Sequence, residues 1–253
     1  MKKGLFSYFH YAMPQEGVLS LHASATEGNR GDVTVYMGIS GTGKTTLSHD
    51  TKRKLIGDDE LLWTDTGVAN IEGGSYAKCI NLDREQEPLI WDAIKFGAVV
   101  ENMNFTDEHK RILDFNDSKI TNNTRCAYPL EYVPGAKIPA VGKHPKNIVL
   151  LTCDANGILP PVSRLSYDQA IYHFLSGYTA TMAGVLSGNE TITPVFSSCY
   201  GEIFLVQHPT VYGDLLAQKL AKHKPRVYLV NTGWINGKYG VGNVALLNFR
   251  EYR

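Results

Sequence analysis

The chain has 253 residues, 43% of them hydrophobic, and its 25 Lys and Arg balance 25 Asp and Glu, so the formal net charge is zero. This composition supports a sizeable folded core and excludes intrinsic disorder as the main state. A neutral chain offers no bulk attraction to nucleic acid or anionic lipid, so any anion it binds must be met by a local site.

No apolar run reaches the roughly 18 residues of a membrane span, and the N-terminus lacks the apolar core of a signal peptide. The expectation is a cytoplasmic protein with neither membrane nor nucleic-acid partners. Cys79, Cys126, Cys153 and Cys199 lie far apart, without the spacing of a zinc site or a disulfide framework. They read as ordinary reduced thiols.

In chain order, 18–23 and 32–37 are short runs rich in Val, Leu and Tyr that read as strands. The apolar pair Leu55-Ile56 precedes an acidic triplet. Residues 85–96 place Leu89, Ile90, Ala93 and Ile94 on one face and predict a helix, and 98–100 predict a strand. The Pro- and Gly-rich stretch 134–145 reads as a surface loop, followed by a strand over 148–152. Ser166-x-x-Gln169 is a capping-box start for a helix carrying Ala170, Ile171, Phe174 and Leu175. A strand is expected over 203–206, a proline-opened helix over Pro209–His223, and a last strand over 227–230. Strands and helices do not alternate one for one. The predicted class is therefore α/β with mixed, largely antiparallel sheets rather than a doubly wound fold.

Residues 38–45 read Gly-Ile-Ser-Gly-Thr-Gly-Lys-Thr, the Walker A pattern, directly after a predicted strand. Glycines let backbone N–H groups converge on phosphates, Lys44 supplies a point charge, and Thr45 offers a hydroxyl to Mg²⁺. The triplet Asp58-Asp59-Glu60 is where carboxylates for that metal are expected.

Further motifs accompany the loop: Lys2-Lys3-Gly4, His22-Ala23-Ser24-Ala25, Glu72-Gly73-Gly74-Ser75-Tyr76-Ala77-Lys78, Asn123-Thr124-Arg125, 159–165, 174–180 and Asn231-Thr232-Gly233-Trp234. Together they resemble the nucleotide-binding C-terminal half of ATP-dependent phosphoenolpyruvate carboxykinases, in family order along nearly the whole chain. The resemblance implies a single P-loop nucleotide-binding domain over 1–253. It also implies a carboxy-lyase reaction, oxaloacetate plus ATP giving phosphoenolpyruvate, ADP and carbon dioxide, as used in gluconeogenesis.

By the same resemblance Lys3, Lys44 and Arg125 are the catalytic candidates. Nucleotide contacts fall on Gly38, Ser40, Gly41, Thr42, Gly43, Lys44, Thr45, Thr46, Lys78 and Arg125. Mg²⁺ joins the nucleotide at Thr45, and Mn²⁺ is held by Lys3, His22 and Asp59. Residues 177–194 resemble the family's active-site lid. Family members are longer, and their N-terminal substrate domain has no counterpart here, nor does the C-terminal tail match their adenine clasp. Leu61 stands where they carry a histidine. The expectation is thus a fragment with little activity alone. The alternatives are a non-catalytic nucleotide- and metal-binding remnant, or a P-loop kinase acting on another small acceptor. The sequence leaves oligomeric state open.

Overall fold

The strand Leu19–Glu27 is buried at every position but its last, so both of its faces are covered. The strand that leads into the glycine-rich loop and the two that flank the acidic pair all pair with it. The computed structural model describes residues 2–180 and 192–245. Most of the expected lid, 181–191, and the tail from 246 onward lie outside the described residues.

The chain opens with helix α1 (Lys2–Gln15), then β1 (Leu19–Glu27), β2 (Val33–Met37), α2 (Lys44–Ser48), β3 (Lys54–Gly57) and β4 (Glu60–Trp63). β5 (Val68–Asn70), β6 (Gly74–Lys78), α3 (Pro88–Ala93), β7 (Val99–Glu101), β8 (Phe105–Asp107), β9 (Ile112–Leu113) and β10 (Arg125–Pro129) follow. The second half carries β11 (Val141–Gly142), β12 (Pro145–Thr152), β13 (Val162–Leu165), α4 (Tyr167–Ser176), β14 (Tyr178–Ala180) and β15 (Pro194–Phe196). It ends on α5 (Pro209–His223), β16 (Arg226–Asn231), β17 (Trp234–Ile235) and β18 (Asn243–Val244).

The main sheet runs β11-β5-β4-β1-β2-β12-β16-β13, with β3 also paired to β1. β12 is parallel to both β2 and β16, while the other pairings are antiparallel. The mixed, largely antiparallel expectation therefore holds. The sheet's core packs Leu21, Val35, Leu150 and Leu229 with Phe174 of α4 and Tyr212 and Leu216 of α5. A second cluster, including Cys79, Cys126 and Tyr128, packs α3 against the small sheet β6-β10-β7.

Two features aim this scaffold at one place. β2, β12 and β16 end together at Met37, Thr152 and Asn231, the carboxyl edge where open α/β sheets leave a crevice. β1, in turn, changes partner along its length: Leu19–His22 face β4, whereas Ala25–Glu27 face β3. The residues joining β3 to β4 are Asp58 and Asp59, so the acidic pair lies against the middle of β1, and the Ala23 amide donates to the Asp59 carbonyl at 2.8 Å.

Several sequence expectations change. Residues 203–206 form no strand; a 3-10 turn, Glu202–Phe204, stands there, because Phe204 turns inward onto His10 and His22 while Ile203 stays 79% exposed. The helix expected over 85–96 is cut to Pro88–Ala93, since Pro88 fixes its first turn and Ile94 is already extended. Helix α1 was not anticipated. Its buried positions are Phe6, His10 and Pro14, a narrow stripe in which a histidine and a proline hide the apolar period. Within 134–145, the surface stretch also supplies the edge strand β11.

Candidate functional site

The loop between β2 and α2 owes its shape to its glycines. Gly41 and Gly43 have φ of 88° and 92°, the left-handed region that side chains resist. A Cβ on Gly38 would stand 2.4 Å from Thr42 Oγ1 and 3.0 Å from Leu151 Cβ. Thr42 donates from its hydroxyl to the Ile39 carbonyl at 2.8 Å, and the Thr232 hydroxyl donates to the Thr42 carbonyl at 2.9 Å. The loop is thereby fastened to the carboxyl edge of the sheet, with Ser40 and Gly41 outward.

Lys44, the first residue of α2, points inward and is only 6% exposed. Its Nζ lies 3.0 Å from His22 Nε2 and 3.0 Å from Asp59 Oδ1. Thr45 donates to Asp58 Oδ2 at 3.3 Å, while Thr46 turns away to Glu87 at 3.1 Å on the surface. Ser48 donates to the other Asp58 oxygen at 3.3 Å.

His22 is set by a buried chain of polar groups. Its Nδ1 is 2.9 Å from Glu60 Oε1, and Glu60 Oε2 is 2.9 Å from His10 Nε2, whose Nδ1 meets Ser20 Oγ at 3.0 Å. Glu60 is buried, which alone would raise its pKa, but hydrogen bonds from His10 and His22 hold it below the ordinary glutamate value.

Asp59 carries the most charge contacts. Burial works against its ionisation, yet Lys44, His22 and Lys2 together keep its carboxyl far below the usual range. Lys2 reaches Asp59 Oδ2 at 3.4 Å and Glu72 Oε1 at 2.7 Å. Burial lowers the Lys2 pKa, but Glu72 and Asp59 outweigh it and the ammonium ends above its ordinary value. Glu72 moves up to about 7, because burial outweighs Lys2, with Asp59 and Asp58 adding to the rise.

Lys3 makes no ion pair with Asp59. Its ammonium packs over the Phe204 ring at 4.5 Å, and partial burial lowers its pKa against the pull of Asp59, with Lys2 and Arg125 adding to the fall. It is thus more readily neutral than an ordinary lysine, which suits a metal ligand. Lys78 and Arg125 stand directly opposite each other on β6 and β10. Arg125 donates to Asn123 Oδ1 at 2.9 Å and lies over the Tyr76 ring at 5.5 Å, while Lys78 is exposed.

The structure thus brings His22, Lys44 and Asp59 into contact and joins Thr45 to Asp58. Lys78 and Arg125 are together, but on the neighbouring sheet. For a divalent ion the donor chemistry fits: ligand atoms of His22, Asp59 and Glu60 lie within 4.8 Å of one another. Since both Glu60 oxygens are engaged by histidines, the atoms left for an ion are His22 Nε2 and an Asp59 oxygen, a nitrogen and oxygen pair suited to a divalent metal ion. Sequence reasoning missed Lys2, His10 and Glu72. Lys2 and Glu72 stand within the motifs, but only the fold brings them together and separates the role of Lys2 from that of Lys3, and His10 carries no signal beyond its spacing of four from Phe6.

Fold and site define an α/β protein in which a phosphate-loop sequence faces a buried histidine and carboxylate cluster. Residues 1–250 match the family model for phosphoenolpyruvate carboxykinase, and the chain belongs to that family. It is 60% identical over 244 residues to the phosphoenolpyruvate carboxykinase (ATP) of Dictyostelium discoideum, covering 96% of this chain and 43% of that protein. Identity to the Saccharomyces cerevisiae protein of the same name is 57% over 245 residues, with 96% and 44% covered. For that of Amoebophilus asiaticus it is 56% over 250 residues, with 98% and 48% covered. The chain therefore spans less than half the length of these relatives. No helix among the described residues is long and apolar enough to cross a membrane.

Proposed function

We propose that residues 1–253 form a nucleotide-binding domain that works in the ATP-dependent conversion of oxaloacetate to phosphoenolpyruvate, ADP and carbon dioxide, in the cytoplasm and in the gluconeogenic direction. The observation that carries this reading is the convergence of Lys44, His22 and Asp59 at 3.0 Å directly behind the phosphate loop. The family membership supplies the substrates.

In this reading the loop amides and Lys44 hold the triphosphate, and Thr45 with Asp58 is the pair suited to Mg²⁺. Lys78 and Arg125, two cations held side by side across a strand pair, would gain an anion between them by reaching the transferred phosphoryl group. Lys3, His22 and Asp59 would hold Mn²⁺, which when bound supplies positive charge against a developing enolate. The carbon–carbon bond of oxaloacetate breaks as carbon dioxide leaves, its electron pair forms the enolate, and the enolate oxygen takes the γ-phosphoryl group of ATP, with ADP as the leaving group. The chain's own part is to fix the donor and neutralise its charge, which is most of what phosphoryl transfer requires.

The test is calorimetry of Mg-ATP and of inorganic triphosphate on the wild type and on Lys44→Ala. Both ligands are expected to weaken by at least about tenfold in the variant, with the fold retained. Equal affinities in the two proteins would overturn the nucleotide site. Tight binding without turnover of oxaloacetate would favour a non-catalytic nucleotide and metal module.

A further inference from the structure

Lys44 engages the same two atoms that were singled out above as donors for a divalent ion. Its ammonium contacts His22 Nε2 and Asp59 Oδ1 at 3.0 Å each. An ammonium has only hydrogens to give, so it engages the Nε2 lone pair, the one a divalent ion must use. The same holds for the Asp59 oxygen. Lysine and metal therefore compete for one pair of donors.

We propose that Lys44 is an internal substitute cation: it occupies the His22 and Asp59 donors in the nucleotide-free protein, and a divalent ion enters only as the ammonium moves off toward the phosphate loop. The inference rests on the reading of His22 and Asp59 as metal ligands. Three observations support it beyond the two distances. Lys44 roots at the start of α2, at the end of the phosphate loop, so its side chain can serve either the donors or a bound phosphate. The donors stay aimed when it leaves, since His22 remains held by Glu60 at 2.9 Å and Asp59 by Lys2 at 3.4 Å. Without Lys44, the half-buried Asp59 carboxylate would keep only Lys2 at 3.4 Å and His22 at 3.5 Å, so the ammonium at 3.0 Å supplies its nearest positive charge. Phosphate binding and metal binding are then coupled, each strengthening the other by the same factor.

The experiment is Mn²⁺ titration without nucleotide, read as free Mn²⁺ by electron paramagnetic resonance, on the wild-type chain and three variants. Lys44→Met is expected to bind Mn²⁺ roughly tenfold or more tightly than the wild type, within the ordinary span of coupling factors. Lys52→Met, which removes an exposed lysine with no contact to the cluster, should leave the affinity unchanged. Adding His22→Ala to Lys44→Met should weaken binding relative to Lys44→Met. If the double variant binds as Lys44→Met does, the metal-ligand reading itself fails. If the double variant binds more weakly but Lys44→Met binds no more tightly than the wild type, or if Lys52→Met gains as much as Lys44→Met, the substitute-cation inference fails alone. Should Lys44→Met not fold, acylation of wild-type Lys44 by an N-hydroxysuccinimide ester, read by mass spectrometry, decides. Mn²⁺ is expected to raise its labelling, and unchanged labelling overturns the inference.

Discussion

His22 donates from Nδ1 to Glu60 Oε1 at 2.9 Å, and its partner on the opposite nitrogen, the Lys44 ammonium, fixes that direction because it can only donate. The ring is thereby held with its proton on Nδ1 and its lone pair on Nε2. Glu60 does the same for His10 with its second oxygen. One buried carboxylate thus sets two histidine tautomers.

Removing that carboxylate should be felt in both stability and metal affinity. Glu60→Ala leaves two buried N–H donors without acceptors, each worth about 1–3 kcal/mol. Urea denaturation measures this loss. Mn²⁺ affinity should fall by about 10–100-fold, as for other groups that orient a ligating histidine. Glu60→Gln should recover part of both, because His10 can trade tautomers with Ser20 and accept from the new amide. A stability loss with unchanged Mn²⁺ affinity would reduce Glu60 to a purely structural role.

Glu72 gives a pH dependence of known sign. Burial raises its carboxyl to about 7 against an ordinary 4.5, so the folded state binds this proton more tightly than the unfolded state does. Its contribution to stability is full below about pH 4.5 and is lost as pH rises to about 7, by at most about 3 kcal/mol. In Glu72→Gln that slope should vanish. Parallel stability curves for wild type and variant across this window would rule the shift out.

Lys78 faces Arg125 across the strand pair, and like charges directly opposite are mildly destabilising. Lys78→Ala should therefore leave stability unchanged or raise it by less than about 1 kcal/mol. Triphosphate affinity should drop by roughly tenfold in the same variant if the pair grips phosphate. Calorimetry of a variant that keeps full affinity would remove Lys78 from the site.

Far from the loop, His144 and His223 stack at 3.6 Å between centroids, and His144 accepts from the Trp63 indole at 3.1 Å through a nitrogen that must be unprotonated. Burial first, then Lys219 and Lys222, lowers the pKa of His144; burial, His144 and the same lysines lower that of His223, with Asp65 opposing in both. Depressed histidines contribute stability that is present above about pH 6.5 and lost as pH falls through their folded values. His223→Phe keeps the stack and removes a titrating group. Its thermal midpoint should fall less than that of the wild type between pH 7 and pH 5, and an equal fall would show that His223 does not titrate there.

Local chemistry and the class of fold can be read from the chain one segment at a time. Strand, glycines, Lys44 and Thr45 are contiguous, so the phosphate-loop pattern is legible without tertiary information, as are the capping box at Ser166 and the proline-opened helix Pro209–His223. The acidic triplet was also visible, but not the division of labour within it. Asp58 goes to Thr45, Asp59 to Lys44 and Glu60 to two histidines because β1 exchanges β3 for β4 at that point, a pairing between segments more than thirty residues apart. Long-range register also separates Lys2 from Lys3, which are neighbours in sequence: one turn of α1 delivers Lys2 to Asp59 and Glu72, and Lys3 to the Phe204 ring. A helix whose buried stripe includes His10 and Pro14 gives no clean apolar period, so α1, and with it the buried His10, is legible only from its packing against β1.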